Sequence, residues 1–169
     1  MKLFRKKQSW WWFGLKFFIV MSIVGSVAVF GSRYRFDYDP QTVKCLPGYS
    51  FFLVDTKDKA LVRGHIYAFH SGKLKPFFSD SDHMAKVLVG LPGDQIQINA
   101  KGIFVNGACV GHGLTYADIL GRTPQQLYGK TTLKPNQYWF MGKSDQSFDS
   151  RYWGTVSNEQ IIGRVYPLF

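Results

Sequence analysis

A mainly β domain preceded by one N-terminal apolar helix is the architecture the sequence predicts, on three observations. Short runs rich in Val, Ile, Phe and Tyr recur between residues 49 and 165, broken by Gly, Pro and Asn. Residues 10–30 are apolar apart from Ser, Gly and Lys16, and a basic head precedes them. At 169 residues, 46% hydrophobic and 17% aromatic, the chain is long enough for one domain with a real core, which excludes wholesale disorder.

The head, MKLFRKKQ, leads into WWWFGLKFFIVMSIVGSVAVF. The uncharged stretch Phe17 to Phe30 is about 21 Å long as helix, and counting back to Trp10 gives about 31 Å, close to a hydrocarbon core. Lys16 then lies near one end, where it can snorkel, and Trp10, Trp11 and Trp12 suit the interfacial belt. Positive charge before the span, with Asp37 and Asp39 after it, predicts a cytoplasmic N-terminus and an exported body. A cleaved secretory signal, cut near Ser26-Val27-Ala28 or Gly31-Ser32, is the competing reading; span length favours a retained anchor. A buried helix of a soluble core would make the tryptophans and basic head a coincidence.

Residues 33–42 read as a polar, aromatic linker stiffened by Pro40. Tyr49 to Val54 is a strand by its aromatic and β-branched content, and Val62 to Phe69 is another; His70 to His83 is a loop around Pro76. Met84 to Val89 is a strand stopped by Gly90-Leu91-Pro92-Gly93, and Gln95 to Ile98 alternates polar and apolar. Ile103-Phe104-Val105 and Ala108-Cys109-Val110 flank Asn106-Gly107, the pair a type I′ hairpin turn favours. Short helices are expected at 114–120 and 124–127, and strands at 137–141 and 161–165.

The net charge of +10 does not mark a nucleic-acid binder. Residues 1–32 hold Lys2, Arg5, Lys6, Lys7 and Lys16 and no acidic residue, so half of the excess sits in the first fifth of the chain. Two cysteines make no disulfide framework. Cys109-Val110-Gly111-His112 is a single metal-like pair, which does not make a zinc site.

Three segments carry residues with chemical potential. Lys86 shares a strand face with Met84 and Leu88, where an ammonium is costly unless it is paired or deprotonated. Spacing alone favours the blander option, an edge strand with Lys86 facing water. Cys45, in a Pro/Gly loop, is either a nucleophile or the disulfide partner of Cys109. Ser147-Phe148-Asp149-Ser150-Arg151-Tyr152-Trp153-Gly154 offers hydroxyls and an Asp–Arg pair, and taken alone reads as a structural turn.

Together these segments are more specific. Lys86-Val87-Leu88-Val89-Gly90-Leu91-Pro92-Gly93-Asp94 resembles the lysine box of type I signal peptidases, and residues 147–154 resemble their last box, S-x-D-S-R-x-W-G. Val62 to Phe69 resembles their R-G-D strand box with His65 in place of the acid. Cys45-Leu46-Pro47 falls at the nucleophile box, and the resemblance covers residues 10–169. The short body and the nucleophile-x-Pro order look most like the conjugative-transfer branch, the TraF-type peptidases that mature pilins.

The resemblance implies a β-rich signal-peptidase-like catalytic domain on a membrane. Its expected organisation is a cytoplasmic head at 1–9, a transmembrane anchor at 10–31, a linker at 32–42 and a periplasmic catalytic domain at 43–169 of a single-pass inner-membrane protein. It implies Cys45 as nucleophile, Lys86 as general base, Ser147 orienting the lysine, Asp149 paired with Arg151, and the Cys45 backbone N–H as oxyanion donor. No cofactor or metal is implied. The implied partners are pilin or other secretory precursor peptides, inner-membrane lipid and other conjugative transfer proteins, with no nucleic acid.

The family has serine at the nucleophile and often a hydroxyl two residues earlier, where this chain has Val43. Thiols near 8.5 are more acidic than amines near 10.4, so a cysteine can still work with a lysine, as thiolate–ammonium or as neutral pair. The alternatives are a catalytically inactive structural component of a conjugative secretion apparatus, with Cys45 bridged to Cys109, and a cysteine peptidase using His65, His70, His83 or His112. None of those histidines lies in a recognisable nucleophile–histidine pattern.

Overall fold

A computed structural model describes residues 9–72, 78–79 and 82–169. The N-terminal unit is the helix α1 (Trp10–Arg33), long and apolar enough to cross a bilayer, with none of its residues buried. That exposure is what a lipid-facing span requires and removes the reading as a core helix. The basic head up to residue 8 and the centre of the loop around Pro76 lie outside the described residues.

The second unit, residues 35–169, carries the strands. In chain order these are β1 (Tyr34–Tyr38), β2 (Phe51–Asp55), β3 (Ile66–His70), β4 (His83–Gly90), β5 (Gln95–Asn99), β6 (Gly102–Val105), β7 (Ala108–Gly111), β8 (Gly129–Thr132), β9 (Trp139–Met141) and β10 (Ile161–Pro167). They form a six-stranded sheet in the order β1-β2-β10-β3-β4-β9 and a four-stranded sheet in the order β7-β6-β5-β8. The mainly β architecture expected from the sequence is therefore the one observed.

Alternation along the strands builds the core. Val87, with Ala68, Val54, Val165 and Leu46, packs on one face of the large sheet. Met84 and Leu88 point to the other face, against Tyr67, Phe69, Phe140 and Ile161. On β9, Phe140 faces this second cluster, while Trp139 and Met141 turn towards Ile96, Ile98, Ile103 and Val105 of the small sheet. β9 thus joins the two sheets through opposite faces of one short strand. The β6–β7 turn has Asn106 at φ 50 and Gly107 at φ 83, the two positive values a type I′ hairpin needs, and Val105 pairs with Ala108 across it.

Several boundaries differ from the sequence reading. The segment taken as linker contains β1, an edge strand whose half-exposed pattern carries no apolar signature. β3 begins at Ile66, because Gly64 takes φ +85 and residues 63–64 turn before the strand starts. β8 is exposed along its whole length, so it offers no apolar alternation to recognise. The expected helices are short 3-10 turns at Asp118–Leu120 and Pro124–Leu127. A single helical turn, α2 (Ser150–Trp153), is capped by Asp149, whose side chain accepts from the Arg151 N–H; four residues are too few for a periodic signal.

Candidate active site

Lys86 sits within β4, between Tyr67 on one side and the start of the β9 pairing on the other, and is only 4% exposed. Its burial overturns the reading of Lys86 as a water-facing guard, although the pairing of β4 with β9 begins only at Val87. The side chain is buried because its neighbours in the sheet come from distant parts of the chain.

Cys45 lies on the loop before β2, held from both sides. Its carbonyl oxygen accepts the Lys143 N–H at 2.8 Å, and Leu46 is buried in the core cluster beneath β2. Lys44 Nζ donates to Ser50 Oγ across the same loop. Cys45 and Lys86 line one open cavity of about 610 Å³, together with Leu46, Phe52, Ala68 and Met84. Among the described residues no hydrogen bond joins Sγ to Nζ, though the two residues line the same cavity. Val43 also lines it and supplies no hydroxyl, leaving the Cys45 backbone N–H as the oxyanion donor that the resemblance implies.

Both thiols are free, Cys109 being exposed on β7, so the Cys45–Cys109 bridge is not formed. Of the histidines, only His83 lines the cavity, where Nδ1 lies 3.3 Å from Arg35 Nη2. Burial, then the neighbouring His70 and Arg35, lower the His83 pKa below the ordinary histidine value. No histidine is hydrogen-bonded to Cys45 among the described residues. No group of three or more His, Cys, Asp or Glu is placed to hold a metal among them either.

The last motif forms the floor behind the cavity. Ser147 is fully buried, and its Oγ has no hydrogen-bond partner among the described residues. Asp149 and Arg151 form a buried two-pronged pair, Nε to Oδ1 at 2.8 Å and Nη2 to Oδ2 at 2.8 Å. The Gly142 N–H adds a bond to Asp149 Oδ2 at 2.9 Å. Arg151 spends its remaining donors on four carbonyls: Nη1 on His112 and Gly113, Nη2 on Ser144 and Ser147. Burial works against the guanidinium charge, but the Asp149 carboxylate outweighs it and the Arg151 pKa is raised. This pair ties the Ser147 loop to the small sheet.

Gly142, which sequence reading missed, is what lets the parts meet. A Cβ there would lie 2.2 Å from Ser147 Oγ, 2.4 Å from Ser147 Cβ and 2.9 Å from the Cys45 carbonyl oxygen. The only local signal was its place just after an apolar strand. Gly142→Ala is expected to push the Cys45 and Ser147 loops apart, costing about 1–3 kcal/mol by overpacking and most of the activity. A melting curve and a precursor-processing assay check both, and an alanine variant with unchanged stability and turnover overturns this account of the close approach.

The glycine-proline turn after β4 is held by Asp94. Its carboxylate accepts the Leu91 N–H at 2.6 Å, Asn106 Nδ2 at 2.7 Å and Arg63 Nη2 at 2.7 Å, and Arg63 also donates to the Val89 carbonyl. The R-G segment thereby meets the end of the lysine box. His65, in place of the family acid, is half-buried with Nε2 3.3 Å from Arg164 Nη2. Burial pushes the Asp94 carboxyl up, but the Leu91 N–H, the Asn106 amide and Arg63 outweigh it, and its pKa is lowered. A carboxyl depressed on folding stabilises the fold above its unfolded value, about 3.9. Stability from Asp94 is therefore expected to be intact at neutral pH and lost as pH falls below about 4. Asp94→Asn should flatten the acid limb of a stability–pH curve; an unaltered limb contradicts this role.

The family model described as "Signal peptidase, peptidase S26" matches residues 11–169. The chain is 29% identical over 108 residues to a probable signal peptidase I-2 of Synechocystis sp., covering 63% of this chain and 47% of that protein. It is 36% identical over 92 residues to the plasmid transfer protein TraF of Escherichia coli, covering 53% and 52%. It is 24% identical over 162 residues to signal peptidase IB of Staphylococcus aureus, covering 88% and 81%. The matches to the first two relatives span about half of their length. A crystal structure of a signal peptidase I from Enterococcus faecalis aligns at 23% identity and a TM-score of 0.40, over 63% of this chain and 97% of that one. The chain belongs to the signal peptidase, peptidase S26, family. Within it, TraF is a relative of plasmid transfer, as the motif order had implied.

Proposed function

We propose that this protein is a membrane-anchored endopeptidase that removes signal peptides or matures a conjugative pilin precursor, with Cys45 as nucleophile and Lys86 as general base. The observation that carries the reading is the burial of Lys86 inside a central strand, on the wall of the cavity that Cys45 also lines. A buried lysine beside a loop thiol is the arrangement proton transfer between them requires.

The chemistry follows from these groups. Lys86 takes the thiol proton, Cys45 Sγ attacks the scissile carbonyl, and the Cys45 backbone N–H receives the oxyanion. The Lys86 ammonium then protonates the leaving amine, and a thioester remains on Cys45. Water resolves it in hydrolysis; an amine of the same precursor would resolve it in cyclisation. The family resemblance gives Ser147 the role of orienting the lysine amine, although its buried Oγ makes no hydrogen bond to Lys86 in this structure.

The substrate docks as an added strand. β2 offers no open edge, lying between β1 and β10, and Leu88 already pairs with Phe140. The free edge is His83–Lys86, which precedes the β9 pairing and lines the cavity. The anchor is oriented with its basic end in the cytoplasm and the catalytic unit in the periplasm.

Two measurements test the reading. A reporter fused after Phe169 is expected to be active only if it works on the exported side; cytoplasmic activity overturns the orientation. The mass of the processed precursor separates the two outcomes of the thioester, since a cyclised product is one water lighter than a cut linear chain. An unprocessed precursor overturns the peptidase assignment.

A further inference from the structure

Cys109 and His112 lie outside the cavity of Cys45 and Lys86, on β7 and just after it, and the proposed peptidase chemistry does not use them. Cys109 is an exposed free thiol. Its Sγ lies 3.6 Å from His112 Nε2 and 3.6 Å from the Gly111 carbonyl oxygen. The other ring nitrogen, Nδ1, lies 3.2 Å from the Lys101 carbonyl oxygen. A carbonyl can only accept, so Nδ1 carries the hydrogen and Nε2 turns its lone pair towards the thiol. A thiol, a base within reach and a third group that sets the base's tautomer are the parts of an activated nucleophile.

The surroundings are built to hold the pair. A Cβ on Gly102 would lie 2.8 Å from the Gly111 oxygen, 3.1 Å from His112 Nδ1 and 3.4 Å from Cys109 Sγ, so a glycine there leaves the room they occupy. His112 also lines a small cleft of about 120 Å³ with Lys101, Leu114, Pro124 and Tyr128. Lys101 is exposed, and its positive charge favours an anionic guest over a cationic one.

We infer that Cys109 and His112 form a second reactive-thiol site, which takes small anionic disulfides such as oxidised glutathione and becomes S-thiolated. His112 Nε2 takes the Cys109 proton, and the thiolate attacks one sulfur of the disulfide. A new S–S bond forms on Cys109 as the old one breaks, and the departing thiolate takes the proton back from His112. The small disulfide is the oxidant: the Cys109 sulfur is oxidised and the leaving sulfur is reduced.

The test uses the full chain in detergent with oxidised glutathione at neutral pH, reading the adduct on the Cys109 peptide by mass spectrometry over time. Cys109 in the folded wild type is expected to react roughly tenfold or more faster than in His112→Gln, and faster than in urea-unfolded wild type by a similar factor. His112→Gln keeps the backbone carbonyl that Arg151 Nη1 holds at 2.8 Å, so that tie to the core survives the substitution. Equal rates in folded and unfolded wild type, or no slowing in His112→Gln, overturn the site. If the variant fails to fold, the folded–unfolded comparison decides alone. Cystamine, a cationic disulfide, is expected to react more slowly than glutathione; a faster reaction overturns the preference for anions.

Discussion

Cys45→Ala and Lys86→Ala are each expected to lower precursor processing by roughly 10³-fold or more, while expression and membrane insertion stay intact. In the proposed mechanism the two groups, which line a common cavity, are halves of one proton-transfer unit, so the double variant should be no worse than either single one. Cys45→Ser should keep part of the activity, because the loop held by Lys143 and Leu46 presents a hydroxyl as well as a thiol. It should also work best at higher pH than the wild type, since a serine hydroxyl does not ionise in this range and depends on a neutral amine. Alkylation should silence the wild type and spare Cys45→Ser. Cys109→Ser should leave processing unchanged, which separates the dyad from any role of a bridge between the cysteines. Full processing by Cys45→Ala would leave the dyad without support.

Asp149→Ala is expected to destabilise the fold by about 3–5 kcal/mol. Both partners of the pair are buried, with side chains 0% and 1% exposed, so removing the carboxylate strands the Arg151 guanidinium away from water. The Gly142 N–H and the Arg151 N–H lose their acceptor at the same time. Because Gly142 borders both Ser147 and the Cys45 carbonyl, activity should fall with stability rather than independently of it. Denaturant melts and processing rates of one variant decide the point. An unchanged melting temperature with activity abolished would instead put Asp149 in the chemistry.

Local patterns were legible wherever a few neighbouring residues decide the outcome. The run Met84-Ala85-Lys86-Val87-Leu88-Val89 is β-branched and apolar enough to be a strand in any setting, and it lies within β4. Asn106-Gly107 demands a tight hairpin, because few other pairs accept two successive positive φ values. The span at 10–30 is visible as an apolar run with Lys16 as its single charged residue, and α1 follows it. The Asp149–Arg151 pair was readable because the two partners are two residues apart.

Less visible were features set by residues far away in the chain. β1 and β8 are strands only because a partner strand is available, and their exposed side chains carry no pattern of their own. The closeness of Gly142 to Ser147 and Cys45 depends on how three loops pack, and no spacing in the sequence reports it. The Cys109–His112 pair looked like half of a metal motif; only the position of the Lys101 carbonyl shows how the ring is oriented.

The sequence by itself determined an apolar helix long enough to cross a membrane, a β-rich body and the ordered motifs around Cys45, Lys86 and Ser147–Gly154, since each depends on hydrophobicity, turn chemistry or short spacing. Whether Lys86 faced water or a cavity was open, because an edge strand and a central strand read alike along the chain. The tertiary structure decided it: Lys86 pairs with Tyr67 of β3 just before the β9 pairing begins at Val87, is only 4% exposed, and lines the cavity that Cys45 reaches from a different loop. Burial is a property of neighbours, and those neighbours come from residues 66–70 and 139–141.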